Sequence, residues 1–396
     1  MIRKFRTGLA LLAALCLLLA GIGAAEQPET SVAMLRNGGS FVLVVREDGT
    51  ILGWGDNRKG QLGTKHSGIL TAPETAATGL NGKDLADIQC GNENTLFLMK
   101  DGMVYTCGTN GRGCQGLGNL KTHVREPRRI PGLEHIVQIA CGFGHNAALD
   151  ADGHVWVWGR NDHGQLGIGS KGAKNTPVKL ELEGIVRIAC GGKFTLAQDR
   201  DGRLWGWGSN THQVLQEGAK QACLRPVALA GFEGLNVVSF GGGSDVAFWL
   251  DDQGNLWGRG RNEFRQVGSR DAAWKISPKL TRVDIPEKVV SVCAYSAITS
   301  ALTESGNMYI WGSGSSGALG DGTAPGSTYP MLAREGDAAE IAMGSLISSV
   351  RTKDGNIYVT GYNKYGQLGN GTTKTSRFWV NNGTNVYQTV IPGAAE

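Results

Sequence analysis

A glycine behind a tryptophan-like position recurs seven times in this chain. It stands at Gly55, Gly108, Gly159, Gly208, Gly260, Gly312 and Gly361, at intervals of 53, 51, 49, 52, 52 and 49 residues. Six residues before each stands a second glycine, at 49, 102, 153, 202, 254, 306 and 355. Eleven residues earlier again are Gly38, Gly91, Gly142, Gly191, Gly243 and Gly344, with Tyr295 in the remaining place. Eight residues after the first series come Gly63, Gly116, Gly167, Gly268, Gly320 and Gly369, with Gln216 substituting once. A 25-residue frame thus holds through seven units without an insertion, and all length variation falls between frames. A period near 50 residues signals a closed or stacked array of one supersecondary unit.

The third unit shows what that unit is. Ile136–Cys141 reads as an apolar strand turned by Gly142, and His145–Leu149 as a second strand. Asp152-Gly153 makes a hairpin turn, where glycine supplies a positive φ. Val155–Trp158 alternates as a third strand, followed by the turn-rich loop Asn161–Gly167. Pro177–Leu182 is expected as a fourth strand, at a blade edge because of its proline. Four short antiparallel strands repeated seven times predict an all-β chain, a seven-bladed β-propeller of four-stranded antiparallel blades. Ser31–Leu35 and Val386–Ile391 both resemble a unit's first strand, one more than seven blades require, so which of them closes the ring stays open.

Composition agrees with one closed unit. The 61 glycines show no every-third-residue period, which excludes collagen, and 41% apolar residues exclude a disordered chain. Met1–Thr7 is basic, and Gly8–Ala25 is an 18-residue uncharged run ending in small residues. This is the order of a secretory signal cut before Glu26, leaving residues 26–396 as one propeller domain with repeats over about 31–391. Eighteen residues is also the lower edge of a membrane span, so an uncleaved anchor is the alternative. Export implies a secreted or cell-envelope protein, with no membrane contact beyond that segment. Past residue 25 the chain has 36 basic and 35 acidic residues. A near-neutral chain without a basic block speaks against a nucleic-acid partner. Cys90, Cys141 and Cys190 share one repeat position, with Cys293 one residue off it, and read as buried apolar residues. A local Cys107–Cys114 disulfide is left open.

The element W-G-x-N-x-x-G-Q-L-G stands as WGDNRKGQLG at 54–63, WGRNDHGQLG at 158–167 and TGYNKYGQLG at 360–369. With IACGFGHNAALDADGHVWVWG at 139–159, it resembles the regulator of chromosome condensation repeat, in an exported, bacterial-type form. The resemblance covers about residues 31–391 and implies a seven-bladed propeller. The founding eukaryotic members are nuclear exchange factors for a small GTPase. That role does not carry over to an exported chain without a basic tail. The fourth unit departs from the pattern as WGSNTHQVLQ and the fifth as RGRNEFRQVG, and the family's His survives only at His145.

No residue pattern in the chain points to catalysis. Gly312–Gly317 matches G-x-G-x-x-G but lies in a repeat loop with no helix expected after it. The seven histidines form neither H-x-H nor H-E-x-x-H, and no C-x-x-C or G-x-S-x-G occurs. Asp150/Asp152 and Asp251/Asp252 fit hairpin turn chemistry better than calcium ligation. We therefore expect no enzyme, no cofactor and no metal. The expected function is a monomeric scaffold binding a protein partner through loops on one face. An enzyme with a site over the central channel and a structural envelope module are the alternatives. The pairs after each loop Asn vary freely, and the candidate partner-binding residues are Arg58, Arg112, His163, His212, Phe264, Tyr362 and Tyr365. Trp249, Trp274 and Trp379 also lie off the repeated tryptophan positions.

Overall fold

The computed structural model describes residues 33–119 and 123–388. The signal-like residues 1–25 lie outside the described residues, as do 389–391 of the terminal run. The chain forms seven four-stranded antiparallel sheets, each built from four consecutive strands. These blades 1 to 7 span 34–75, 85–129, 136–179, 185–228, 237–282, 289–334 and 338–385. First strands line a central channel of about 350 Å³.

Blade 3 consists of Ile136–Cys141, His145–Asp150, Val155–Gly159 and Lys174–Lys179. Its fourth strand begins three residues before the expected Pro177. Gly159 pairs with Lys174, and a bulge between Val157 and Gly159 leaves Pro177 unpaired on the outer edge, where its missing amide costs nothing.

Neighbouring blades interlock through one repeated carbonyl, seven residues after the W-G tryptophan position. Trp54 Nε1 donates to Gln367 O at 2.9 Å, Trp158 to Cys114 O at 3.0 Å and Trp311 to Gln266 O at 2.8 Å. Second-strand hydroxyls of the following blade reach the same carbonyls, Thr95 to Gln61 O at 2.7 Å and Thr299 to Gln266 O at 3.0 Å. In blade 5 the tryptophan is replaced by Arg259, which is buried and donates to Val214 O, Leu215 O and Ala230 O at 2.8, 3.2 and 3.2 Å. Trp249 is not a loop aromatic. It is fully buried on the second strand of blade 5, against Phe232 and the Arg259 guanidinium.

The Gly38 series is explained by close approach. A Cβ on Gly142 would lie 2.1 Å from the His145 ring, and one on Gly191 2.2 Å from the Phe194 ring. His145 is itself buried, with Nε2 3.1 Å from Thr195 Oγ1. Burial lowers its pKa to about 4, with Phe194 backbone opposing and Arg160 adding. The sign follows. The unfolded chain binds a proton at the ordinary value of 6.5 that the folded chain refuses down to about 4. This contribution is therefore complete above pH 6.5 and is lost as pH falls towards 4, by about 3 kcal/mol. His145→Phe, the residue at the matching positions 41 and 194, is expected to flatten that part of the stability–pH curve in denaturant titrations. An unchanged acid limb would assign it elsewhere.

Ring closure settles the surplus strand. Met34–Asn37 is the first strand of blade 1, whereas Val386–Gln388 forms no strand. Val386 N donates to Gly355 O at 2.9 Å, as Ile136 N does to Gly102 O and Ile185 N to Gly153 O at 3.1 Å. Glu47 N donates to Val386 O at 3.0 Å. Val386 thus stands where a first strand starts, and Met34–Asn37 supplies the strand. Ion pairs reinforce the seam. Arg36 of blade 1 meets Asp87 of blade 2 at 2.9 Å and Glu340 of blade 7 at 2.6 Å, and Arg351 meets Glu340 at 3.0 Å.

All described cysteines are free, so Cys107 and Cys114 do not pair. Cys107 fills the tryptophan position of blade 2 with Sγ 3.5 Å from Gln61 O, and Cys114 Sγ faces Gly111 O and Gly144 O. Burial pushes the Cys90 and Cys190 thiols up to about 12.

Candidate functional site: the loop face

Antiparallel order puts each blade's first turn and its third-to-fourth-strand loop on one face, and its hairpin and the connector to the next blade on the other. The loop interiors are fixed by the repeated Asn. Asn57 Oδ1 accepts from Leu62 N at 2.9 Å, Asn161 Oδ1 from Leu166 N at 3.0 Å and Asn363 Oδ1 from Leu368 N at 2.9 Å. Their amide groups donate across the loop to His66 O, Ser170 O and Thr372 O. The repeated Gln accepts the backbone N–H two residues before it, as from His163, Phe264 and Tyr365. Gly60 and Gly164 take φ of 84° and 77° here, and Gln213 and Arg265 hold the same left-handed place at 57° and 60° where the family glycine is missing.

On this frame the seven candidate residues fall into separate groups. Arg58 pairs with Asp56 at 2.7 Å and stacks on Tyr365 of the preceding blade at 4.6 Å. Tyr365 meets Tyr362 edge-on at 6.4 Å, and both are half-buried. Arg112 and Arg160 converge on Asp162, at 2.9 and 2.7 Å, and hold its carboxyl below the ordinary range. His163 beside them is lowered by burial and by the Lys193 and Arg160 charges. His212 lies 3.5 Å from Asp245. Burial raises Asp245, but its bond to His212 and the His212, Lys193 and Arg261 charges together keep the carboxyl below its usual value. Phe264 is 44% exposed, with the Arg261 guanidinium 5.5 Å from its ring centre.

Blades 5 to 7 hold further exposed aromatics: Trp274, already marked in the sequence as off the repeat, and Tyr329 and Phe378, which the sequence did not mark. Trp274 is 62% exposed beneath Lys275 at 4.9 Å, and Tyr329 is 44% exposed beneath Arg270 at 5.0 Å. Phe378, at 65%, repeats the Tyr329 position one blade on. Tyr329 and Phe378 lie on fourth strands, outside the invariant frame. Their shared signal is Ser-x-aromatic, in STY at 327–329 and SRF at 376–378, where each serine hydroxyl donates to the aromatic's carbonyl. Trp379 is partly buried against the core.

The loop-face mouth of the channel is bridged. Tyr295, in place of the series glycine, reaches from blade 6 to Asn92 of blade 2, with a hydroxyl-to-Oδ1 distance of 3.0 Å. Phe143 of blade 3 lies against it at 5.0 Å. On the opposite face, Asp150, Asp152 and His154 offer three grouped ligand atoms. Asp150 is already engaged there. Its Oδ1 accepts from the His154 backbone at 2.9 Å and its Oδ2 from Trp156 Nε1 at 3.0 Å, and Asp199–Trp205 and Asp251–Trp257 repeat the latter bond. The group is thus explained by hairpin chemistry.

Charge is segregated between the faces. Among the described residues between strands, the loop-face segments carry twelve Lys and Arg against seven Asp and Glu. The hairpins and connectors opposite carry seven against seventeen. The near-zero total therefore conceals a positive and a negative face.

The profile of the RCC1-like domain matches residues 20–293. The chain is 32% identical to the human probable E3 ubiquitin-protein ligase HERC4 over 326 residues, 68% of this chain but 26% of HERC4. It thus spans about a quarter of that relative's length. Human WBSCR16 superposes with a TM-score of 0.72 at 21% identity, over 83% of this chain and 92% of that one. Prp20p from Saccharomyces cerevisiae, described with its binding to Gsp1p and histones, gives 0.70 at 22% identity, over 78% and 80%.

Proposed function

The chain belongs to the RCC1-like domain family, and from that premise we propose that it is a non-catalytic scaffold that binds a protein partner through its loop face. One observation carries the reading. The loop backbones are fixed internally by the repeated Asn and Gln, while the two residues after each Asn differ from unit to unit and place Phe264 and Arg58 outward. A rigid frame with variable outward positions suits recognition. Protein partners described for Prp20p point the same way without naming this chain's partner.

Phe264, Tyr362 and Tyr365 are the first residues to replace. Together with Arg58 they span blades 5, 7 and 1, which fits an interface of about 800 Å² per partner. Triple alanine replacement is expected to weaken binding by about 1–3 kcal/mol per anchoring side chain, measured by calorimetry on a partner captured with the full chain. The unfolding midpoint should change little, because none of the three is fully buried. Unaltered affinity would put the interface elsewhere.

The basic, apolar and small-residue order of residues 1–25 supports export of this scaffold. Mass spectrometry of the mature protein is expected to find Glu26 first, and an intact Met1 would assign an anchor instead.

A further inference from the structure

We propose that the sector of the loop face formed by blades 7 and 1 docks an acidic protein segment that also carries apolar side chains. The proposal rests on the loop-face reading above and adds the place and the chemistry of the partner.

Three observations converge on it. The first is the distribution of charge within the face. Of its twelve Lys and Arg, five stand on the two loops that meet across the seam: Arg58, Lys59 and Lys65 at 57–68, and Lys364 and Lys374 at 362–375. Neither loop holds an acid, nor do the first turns of these blades at 38–40 and 345–346, so the seven loop-face acids all lie on blades 2 to 6. An acidic partner is steered to this sector and away from its neighbours. The second is that most of these cations are free. Arg58 is paired with Asp56 at 2.7 Å, and Lys65 lies 3.8 Å from Glu126. Lys59, Lys364 and Lys374 form no ion pair among the described residues, so a partner can engage them without displacing a carboxylate. The third is apolar surface on a rigid junction. Gly371 N donates to Thr71 O at 2.8 Å, and a Cβ on Gly366 would lie 2.6 Å from Leu70 O, so the blade 7 loop is seated on the fourth strand of blade 1. Ile69 is exposed at this junction, Tyr362 and Tyr365 are half-buried on its blade 7 side, and Phe378 is exposed on the adjoining strand. Such a surface offers apolar anchoring and charge pairing together.

A short protein segment suits this sector better than a nucleic acid. The sector ends at Asp321 of blade 6, which is bridged to Phe378, and at Glu93 and Glu126 of blade 2. A phosphate backbone running past either border meets carboxylates, whereas an acidic stretch of a few residues does not. The Arg58 guanidinium, 4.6 Å from the centre of the Tyr365 ring, also covers a face on which a base would stack. A second copy of the chain suits it less well. Of the acids it would bring on blades 5 and 6, Asp245 is engaged by His212, Glu263 by Arg261 and Asp321 by Thr323 of their own chain.

The test uses the full chain and three labelled probes: a Glu-Glu-Phe repeat peptide, its Gln-Gln-Phe counterpart and single-stranded oligodeoxythymidine. The glutamate peptide is expected to bind, and to bind less as salt rises. Lys59→Glu, Lys364→Glu and Lys374→Glu combined should weaken it at least about tenfold, with the unfolding midpoint retained because no ion pair is broken. Ile69→Ala with Phe378→Ala should also weaken it while leaving the salt dependence in place. Arg270→Glu with Lys275→Glu, on blade 5, and Lys83→Glu with Lys100→Glu, on the opposite face, should have no effect. No binding of the glutamate peptide, or tighter binding of the DNA, overturns the proposal. So does self-association abolished by the blade 7 and 1 reversal, which would assign the sector to a second copy. An equal loss from the blade 5 reversal overturns the sector, and equal binding of the glutamine peptide overturns the acidic class. Either of these last two leaves the loop-face reading standing.

Discussion

Glu340→Ala is expected to lower stability by about 3–5 kcal/mol, because it removes the shared acceptor of a buried ionic cluster and leaves two guanidinium groups behind. Glu340 accepts from Arg36 at 2.6 Å, from Arg351 at 3.0 Å and from the Leu35 backbone at 3.0 Å. The side chains of Glu340, Arg36 and Arg351 are 9, 16 and 12% exposed, so water cannot replace the lost partner cheaply. The deletion falls on the seam between the first and last blades. Arg36 also bonds Asp87, so a third blade is coupled to the same group. Urea unfolding followed by tryptophan fluorescence would measure the loss. A change under about 1 kcal/mol would show that the seam is held by its apolar contacts and that the cluster is dispensable.

A similar loss is expected at Arg259. Its alanine variant would leave Val214 O, Leu215 O and Ala230 O without their donor and open a hole beside Trp249 and Phe232. Unsatisfied carbonyls and a cavity together put the cost at about 3–5 kcal/mol. Burial lowers the Arg259 pKa to about 10, with Glu217 opposing, so the folded protein holds this cation under protest from its surroundings. Arg259→Trp restores the repeat residue, whose indole N–H reaches the matching carbonyl in blades 1, 3 and 6, and should retain most of the stability. Denaturant midpoints of the two variants side by side decide it. If tryptophan proved as damaging as alanine, blade 5 would have repacked around the guanidinium.

The repeated frame made the blades legible because turns and close approaches demand glycine at fixed places. Gly153 takes φ 90° in its hairpin, and Gly142 lies under the His145 ring. Outside the frame no fixed turn or close approach marks the chain. The blade 3 fourth strand was displaced because an edge strand with a bulge has no strict register signal. Trp249 looked free of the motif, yet it is buried against Arg259, a long-range contact that no local pattern marks. Of the site, Phe264 was legible from its loop position, whereas Tyr329 reaches the same sector from a fourth strand in the next blade. The opposed charge of the two faces was invisible in a total near zero. It appears only when residues are sorted by the side on which antiparallel strands deliver them.

Each blade is complete in sequence, with no strand borrowed across the seam. The order in which the blades follow one another is therefore a matter of connection rather than architecture. The segments ending at Val386 and beginning at Met34 serve the same blade, since Glu47 N bonds Val386 O while Met34 pairs with Val45. A circular permutant that joins these two ends and opens the exposed connector at 229–236 should thus preserve every blade. It would move the chain ends around the acidic face, from the junction of blades 7 and 1 to that of blades 4 and 5, and keep the loop face free when the molecule is attached to a surface by either end.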